Sequence, residues 1–133
     1  MSDITWKYTK PLGSKTLIED FERENNITFP DDLKDCLVKN NGGRPSKCIF
    51  DTEREKEKVF NSLLSFNKSD IETIYMAFPI PEAGKKLVPF ATDPSGDFIC
   101  VQDNAIVLYS HETGAVEKIA DSFTEFLSKL YLI

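Results

Sequence analysis

Between Leu87 and Glu117 the chain has no lysine and no arginine, while five acidic residues fall in the same stretch. Contacts to phosphate come from Lys and Arg, so this stretch and a net charge of −6 speak against nucleic acid and anionic membrane as partners. Histidine occurs once, at His111, and a zinc site would need further His or Cys ligands at suitable spacing. The three cysteines, Cys36, Cys48 and Cys100, lie in or beside apolar segments without metal-ligand spacing, which reads as reduced, partly buried thiols. No apolar run approaches the roughly 18 residues of a spanning helix. Met1-Ser2-Asp3-Ile4-Thr5-Trp6-Lys7 lacks the basic and apolar segments of a signal peptide. Gly42-Gly43 follows a helical pattern and precedes no Lys-Ser/Thr, so it is not a phosphate loop. A nucleophilic triad has no Ser or Cys elbow to attach to. The expectation is a cytoplasmic protein with no catalytic residues, no cofactor and no metal.

What is present suits one domain spanning residues 1–133. The hydrophobic fraction is 41% with ten phenylalanines, enough for a single core. No internal repeat, low-complexity tract or linker divides it. Charge is segregated along the chain. Residues 14–35 carry seven acids against three bases, and residues 36–68 seven bases against four acids. Acidic surface favours basic protein partners and speeds their encounter.

Thr16 and Glu19 have capping-box spacing ahead of Leu17, Ile18 and Phe21, which predicts a helix ending near Asn25-Asn26. Pro30 opens a second helix with Asp31 and Asp32 in its first turn, and Gly42 and Gly43 follow its end. Ser46–Phe50 reads as a short strand, Asp51–Lys58 as a solvated turn or edge strand, and Val59–Phe66 as strand or helix. Ser69 and Glu72 suggest another capping box, with Ile71, Ile74, Tyr75 and Phe78 at helical spacing and Pro79 and Pro81 as the stop. From Leu87 the period changes to two. Strands are predicted at Leu87–Ala91, Phe98–Gln102, Ala105–Ser110 and Val116–Lys118, joined by turns short enough to require an antiparallel meander. Ser122 and Glu125 then cap a helix whose Phe123, Phe126, Leu127, Leu130 and Tyr131 form an apolar stripe. The fold class is α+β, a central antiparallel sheet with helices packed against it.

Asp93 and Asp97 bracket Pro94-Ser95-Gly96. Paired carboxylates can do acid/base work, but Asp at a turn start commonly bonds its own backbone and Gly96 supplies the turn geometry. A calcium loop would need a longer series of oxygen ligands. His111 reads as a structural or interface histidine held by Glu112 or a backbone group.

Several segments in order resemble the SUKH superfamily, the domain of the fungal Smi/Knr cell-wall assembly regulators. They are Phe29-Pro30, Asn41-Gly42-Gly43, Val88-Pro89-Phe90-Ala91 with Asp93 and Gly96-Asp97, Tyr109-Ser110-His111-Glu112, and Ser122-Phe123 with Phe126-Leu127. Ser110 stands where the family often has Asp. The resemblance implies an α+β fold without catalytic residues and a surface that binds another protein. In bacterial members that partner is typically a toxin domain, often a nuclease, blocked at its active site. An acidic immunity protein for a basic toxin domain is therefore the leading expectation. A regulatory scaffold of the cell-wall assembly type is the alternative; such scaffolds usually carry long disordered flanks, and a bare domain is expected here. Asp93, Asp97, Asp103 and Glu112, with His111, are the candidate partner-binding residues, because they lie at turns expected to reach solvent with no Lys or Arg near them in sequence. Glu19, Asp20 and Glu22 on the first helix are the second choice.

Overall fold

A computed structural model describes residues 4–81, 83 and 86–132. Its elements, in order, are β1 (Trp6–Lys7), α1 (Leu17–Asn25), α2 (Asp31–Lys39), β2 (Arg44–Pro45), β3 (Ile49–Phe50), β4 (Lys58–Val59), β5 (Ser62–Leu63), α3 (Ile74–Ala77), β6 (Val88–Thr92), β7 (Phe98–Gln102), β8 (Ala105–Tyr109), β9 (Val116–Ala120) and α4 (Phe123–Lys129). Strands β5 to β9 form an antiparallel sheet in sequence order, while β1 pairs with β2 and β3 with β4. This is the α+β architecture expected from the alternating pattern.

The two faces of the sheet explain why its central strands are apolar on both sides. Ile99, Val101, Ile106 and Leu108 point into the main core with Phe90, where the helices lie. Cys100, Val107 and Tyr109 point the other way, against Ile80 and Leu87 from the chain leading into β6. Pro89, which has no amide proton to donate, sits beside a β-bulge between β6 and β7. Phenylalanines dominate the main core. Phe90 meets Phe123 edge-on at 5.7 Å, and Phe60 stacks on Phe126 at 6.0 Å, so α4 is pinned to the sheet through aromatic contacts.

Helix α4 starts as expected: the Ser122 hydroxyl accepts from the Glu125 amide at 3.1 Å. The Glu125 carboxylate returns to the Asp121 amide, one residue earlier than a standard capping box. The other two predicted boxes do not form. Thr16 donates its hydroxyl to Asp20 at 3.0 Å instead of capping α1, which ends on Asn26 in the left-handed conformation. The Ser69 box fails because the backbone there is claimed by other partners. Ser65 and Thr73 form a bridge, Ser65 donates to Asp70 at 2.5 Å, and helix is confined to Ile74–Ala77, leaving Ile71 exposed. Gly42 has φ +72° in the turn after α2, whose own cap is Asn40.

The outer edge of β9 is covered by the chain itself. Lys129 donates to the Ile119 carbonyl at 2.9 Å, and Glu117 accepts from the backbone amides of Glu53 and Arg54. Such devices protect an edge from pairing with another strand.

Candidate interaction surface at one end of the sheet

Antiparallel connection places the 93–97 turn and the 110–115 turn at the same end of the sheet, where β7 and β9 begin. Within the first turn, one Asp93 oxygen accepts from the Ser95 amide (3.0 Å), the Ser95 hydroxyl (2.6 Å) and the Asp97 amide (3.1 Å). Gly96 has φ +97°, which a side chain would resist. This is the turn chemistry foreseen for these residues, and it also occupies the Ser95 hydroxyl.

The expectation that Asp93 and Asp97 reach solvent is corrected by the structure. Both are 6% exposed. The cause is Lys58, the last residue of the supposedly solvated acid/base run, which is itself buried. Its ammonium lies 2.7 Å from Asp93, 3.2 Å from Asp97 and 3.3 Å from Glu55. Burial alone would lower the Lys58 pKa, but the hydrogen bonds that its ammonium donates to the two aspartates outweigh it and raise the value above the usual lysine range. Burial likewise opposes ionisation of Asp97, and bonds from His111 and Lys58 reverse that, holding its carboxyl below the usual range. The ammonium stands between the two carboxylates where a cation would otherwise be drawn. Among the described residues no group of three or more His, Cys, Asp or Glu side chains is arranged to hold a metal ion.

His111 is held by Asp97, not by Glu112. Its Nδ1 lies 2.7 Å from the Asp97 oxygen that also accepts the His111 amide at 3.2 Å. The ring rests on the turn, since a Cβ on Gly96 would meet its Cε1 at 3.4 Å. The side chain is 43% exposed. Loop 51–57, tied to this end through Lys58 and through Glu117, adds exposed Glu53, Glu55 and Glu57 beside Arg54 and Lys56. Glu112 is exposed as expected. Asp103 is also exposed, but it lies in the β7–β8 turn at the opposite end of the sheet. The candidates therefore divide into two buried braces, Asp93 and Asp97; two exposed neighbours, His111 and Glu112; and one remote acid.

On α1, Asp20 pairs with Arg23 at 2.7 Å and Glu22 with Lys34 at 2.8 Å, so two of the three acids there are already engaged with bases. A separate open cavity of about 420 Å³ lies between Lys10, Arg44, Asp70, Ile71 and Glu72, with bases and acids in equal number among these five.

The architecture defines the class: an α+β domain built on a meander sheet, with charged loops gathered at one end and braced by a buried lysine. Within that class, residues 15–127 match the SUKH-type family model described as SMI1-KNR4 cell-wall, and the chain belongs to the SUKH superfamily. No curated protein matches the chain.

Proposed function

We propose that this chain is a non-catalytic binding domain that acts in the cytoplasm as an immunity protein, neutralising a cognate toxin by direct association. The observation that carries this reading is the acidic end of the sheet. Glu53, Glu55 and Glu57 are exposed there beside Arg54 and Lys56, on a loop that Lys58 and Glu117 fasten to the sheet, and Glu112 is exposed on the 110–115 turn. A loop held before binding loses less freedom on association than a mobile one. Carboxylates on such loops can occupy the basic cleft of a nuclease as phosphate would. The Asp93 and Asp97 carboxylates support this surface from beneath; Glu53, Glu55 and Glu112 replace them as contact residues.

The test is protection of cells expressing the toxin encoded beside this chain, with wild type and with Glu53→Lys/Glu112→Lys. The double reversal is expected to lose protection while folding normally, because exposed substitutions change stability by about 0.5 kcal/mol or less. Association of the wild type should slow several-fold from low to physiological salt, with dissociation changing less. Full protection by the reversed variant would move the interface to Glu19, Asp20 and Glu22. The family description names the cell wall, which favours a regulatory scaffold as the second reading. Failure of the wild type to bind or protect would favour that scaffold.

A further inference from the structure

The imidazole at the acidic end is oriented more tightly than a surface histidine requires. Asp97 is ionised and can only accept, so the neutral ring must carry its proton on Nδ1, the nitrogen 2.7 Å away. The lone pair is then left on Nε2. Among the described residues no atom hydrogen-bonds Nε2, and the ring is nearly half exposed. Two further constraints fix the ring plane: the backbone bond from His111 to the same oxygen, and the Gly96 floor. Asp97 is in turn fixed by Lys58, so the ring sits on a chain of bonded groups ending in the core-facing side of loop 51–58.

Resting on the immunity reading above, we infer that His111 is a recognition residue: its Nε2 accepts a hydrogen bond from an arginine side chain of the partner, whose charge complements the exposed acids of this end of the sheet, Glu55 and Glu112 among them. Arginine suits this surface because its planar fork can donate to the imidazole nitrogen and to a carboxylate at once. Asp97 is the positioning residue. It dictates which nitrogen is free without touching the partner. Asp97 faces the ring directly; behind it stands Lys58 and, through Lys58, Asp93 and Glu55.

The isolated protein supplies the first measurement, the nitrogen shifts of the His111 ring by NMR across pH. A neutral ring protonated on Nδ1 is expected, and one protonated on Nε2 would overturn the inference. The second measurement is affinity for the toxin domain encoded beside this chain, for wild type and His111→Asn. Asparagine keeps a donor toward Asp97 and deletes the outer acceptor. The variant is expected to lose about tenfold in affinity at pH 8, with an unchanged melting temperature. Equal affinity of the two proteins would overturn this contact and leave the immunity reading standing. Absence of binding by the wild type would overturn both.

Discussion

Replacing Lys58 by methionine keeps the length and apolar stem of the side chain and removes its ammonium. Three carboxylates face that ammonium, and only Glu55 can turn into water without loss. The Oδ2 atoms of Asp93 and Asp97 lose the contacts of 2.7 Å and 3.2 Å, while their Oδ1 atoms keep their bonds to Ser95, the Asp97 amide and His111. A hydrogen bond to a charged group contributes about 1.5–3 kcal/mol, and breaking a buried pair from one side costs about 3–5 kcal/mol. Because half of each carboxylate stays satisfied, the lower end applies, about 3 kcal/mol at neutral pH. With an unfolding entropy of roughly 0.28 kcal/mol/K for a chain of this length, the melting temperature should fall by about 10 °C. The sign with pH follows from the two shifts. Asp97 is lowered in the folded state, so its contribution is present above the unfolded carboxyl value of about 3.9 and is lost as pH falls through the folded value. Lys58 is raised, so its contribution is complete below the unfolded lysine value of about 10.4 and is lost above it, as pH rises through the folded value. In the variant, Asp97 has lost the Lys58 bond that helped to lower its pKa and takes up a proton more readily, so the deficit should shrink between pH 7 and pH 4. Urea unfolding followed by Trp6 fluorescence measures this, since Trp6 packs edge-on to core Phe60 at 5.8 Å. A deficit below about 1 kcal/mol at pH 7, or one equal at both pH values, would refute the account.

Gly96→Ala should destabilise by about 1–3 kcal/mol, because φ is +97°, whereas the new Cβ would meet the His111 ring at 3.4 Å, an ordinary contact that leaves the ring in place; thermal unfolding measures the first effect, and ring NMR signals close to the wild-type ones check the second. The free thiols should differ in reactivity. Burial pushes Cys36 up to about 11 and Cys100 up further, whereas Cys48 is only half-buried. Mass spectrometry after maleimide treatment should show Cys48 labelled in the native protein, with Cys36 and Cys100 following only in denaturant; early labelling of Cys100 would contradict the packing of the second face of the sheet.

The parts that were legible in the sequence are those decided by neighbours. Helix α4 was readable because Ser122 and Glu125 are three residues apart and the stripe follows within two turns. The meander was readable because each turn carries its own chemistry. Lys58 was not readable as a brace. Its partners lie 35 and 39 positions away, and its local setting, alternating Glu and Lys, is what a solvated loop looks like. The same distance hid the burial of Asp93 and Asp97, whose acidity was visible and whose surroundings were not. For residues 69–77, the capping pattern and the helical spacing were present, but Ser65 and Asn67, which hold Asp70, belong to a different segment. His111 stood out by its rarity, yet the acid that orients it is Asp97, fourteen residues upstream, not adjacent Glu112.

The placement of Asp103 gives the molecule an internal control. It carries the same charge as Glu112 and is likewise exposed, yet it lies at the far end of five-residue strands, about 17 Å away. That separation is about twice the Debye length of roughly 8 Å at physiological salt. A lysine at position 103 therefore changes net charge as much as a lysine at position 112 does, while leaving the local field at the His111 end almost untouched. Comparing the two reversals separates a partner that reads total charge from one that reads a place.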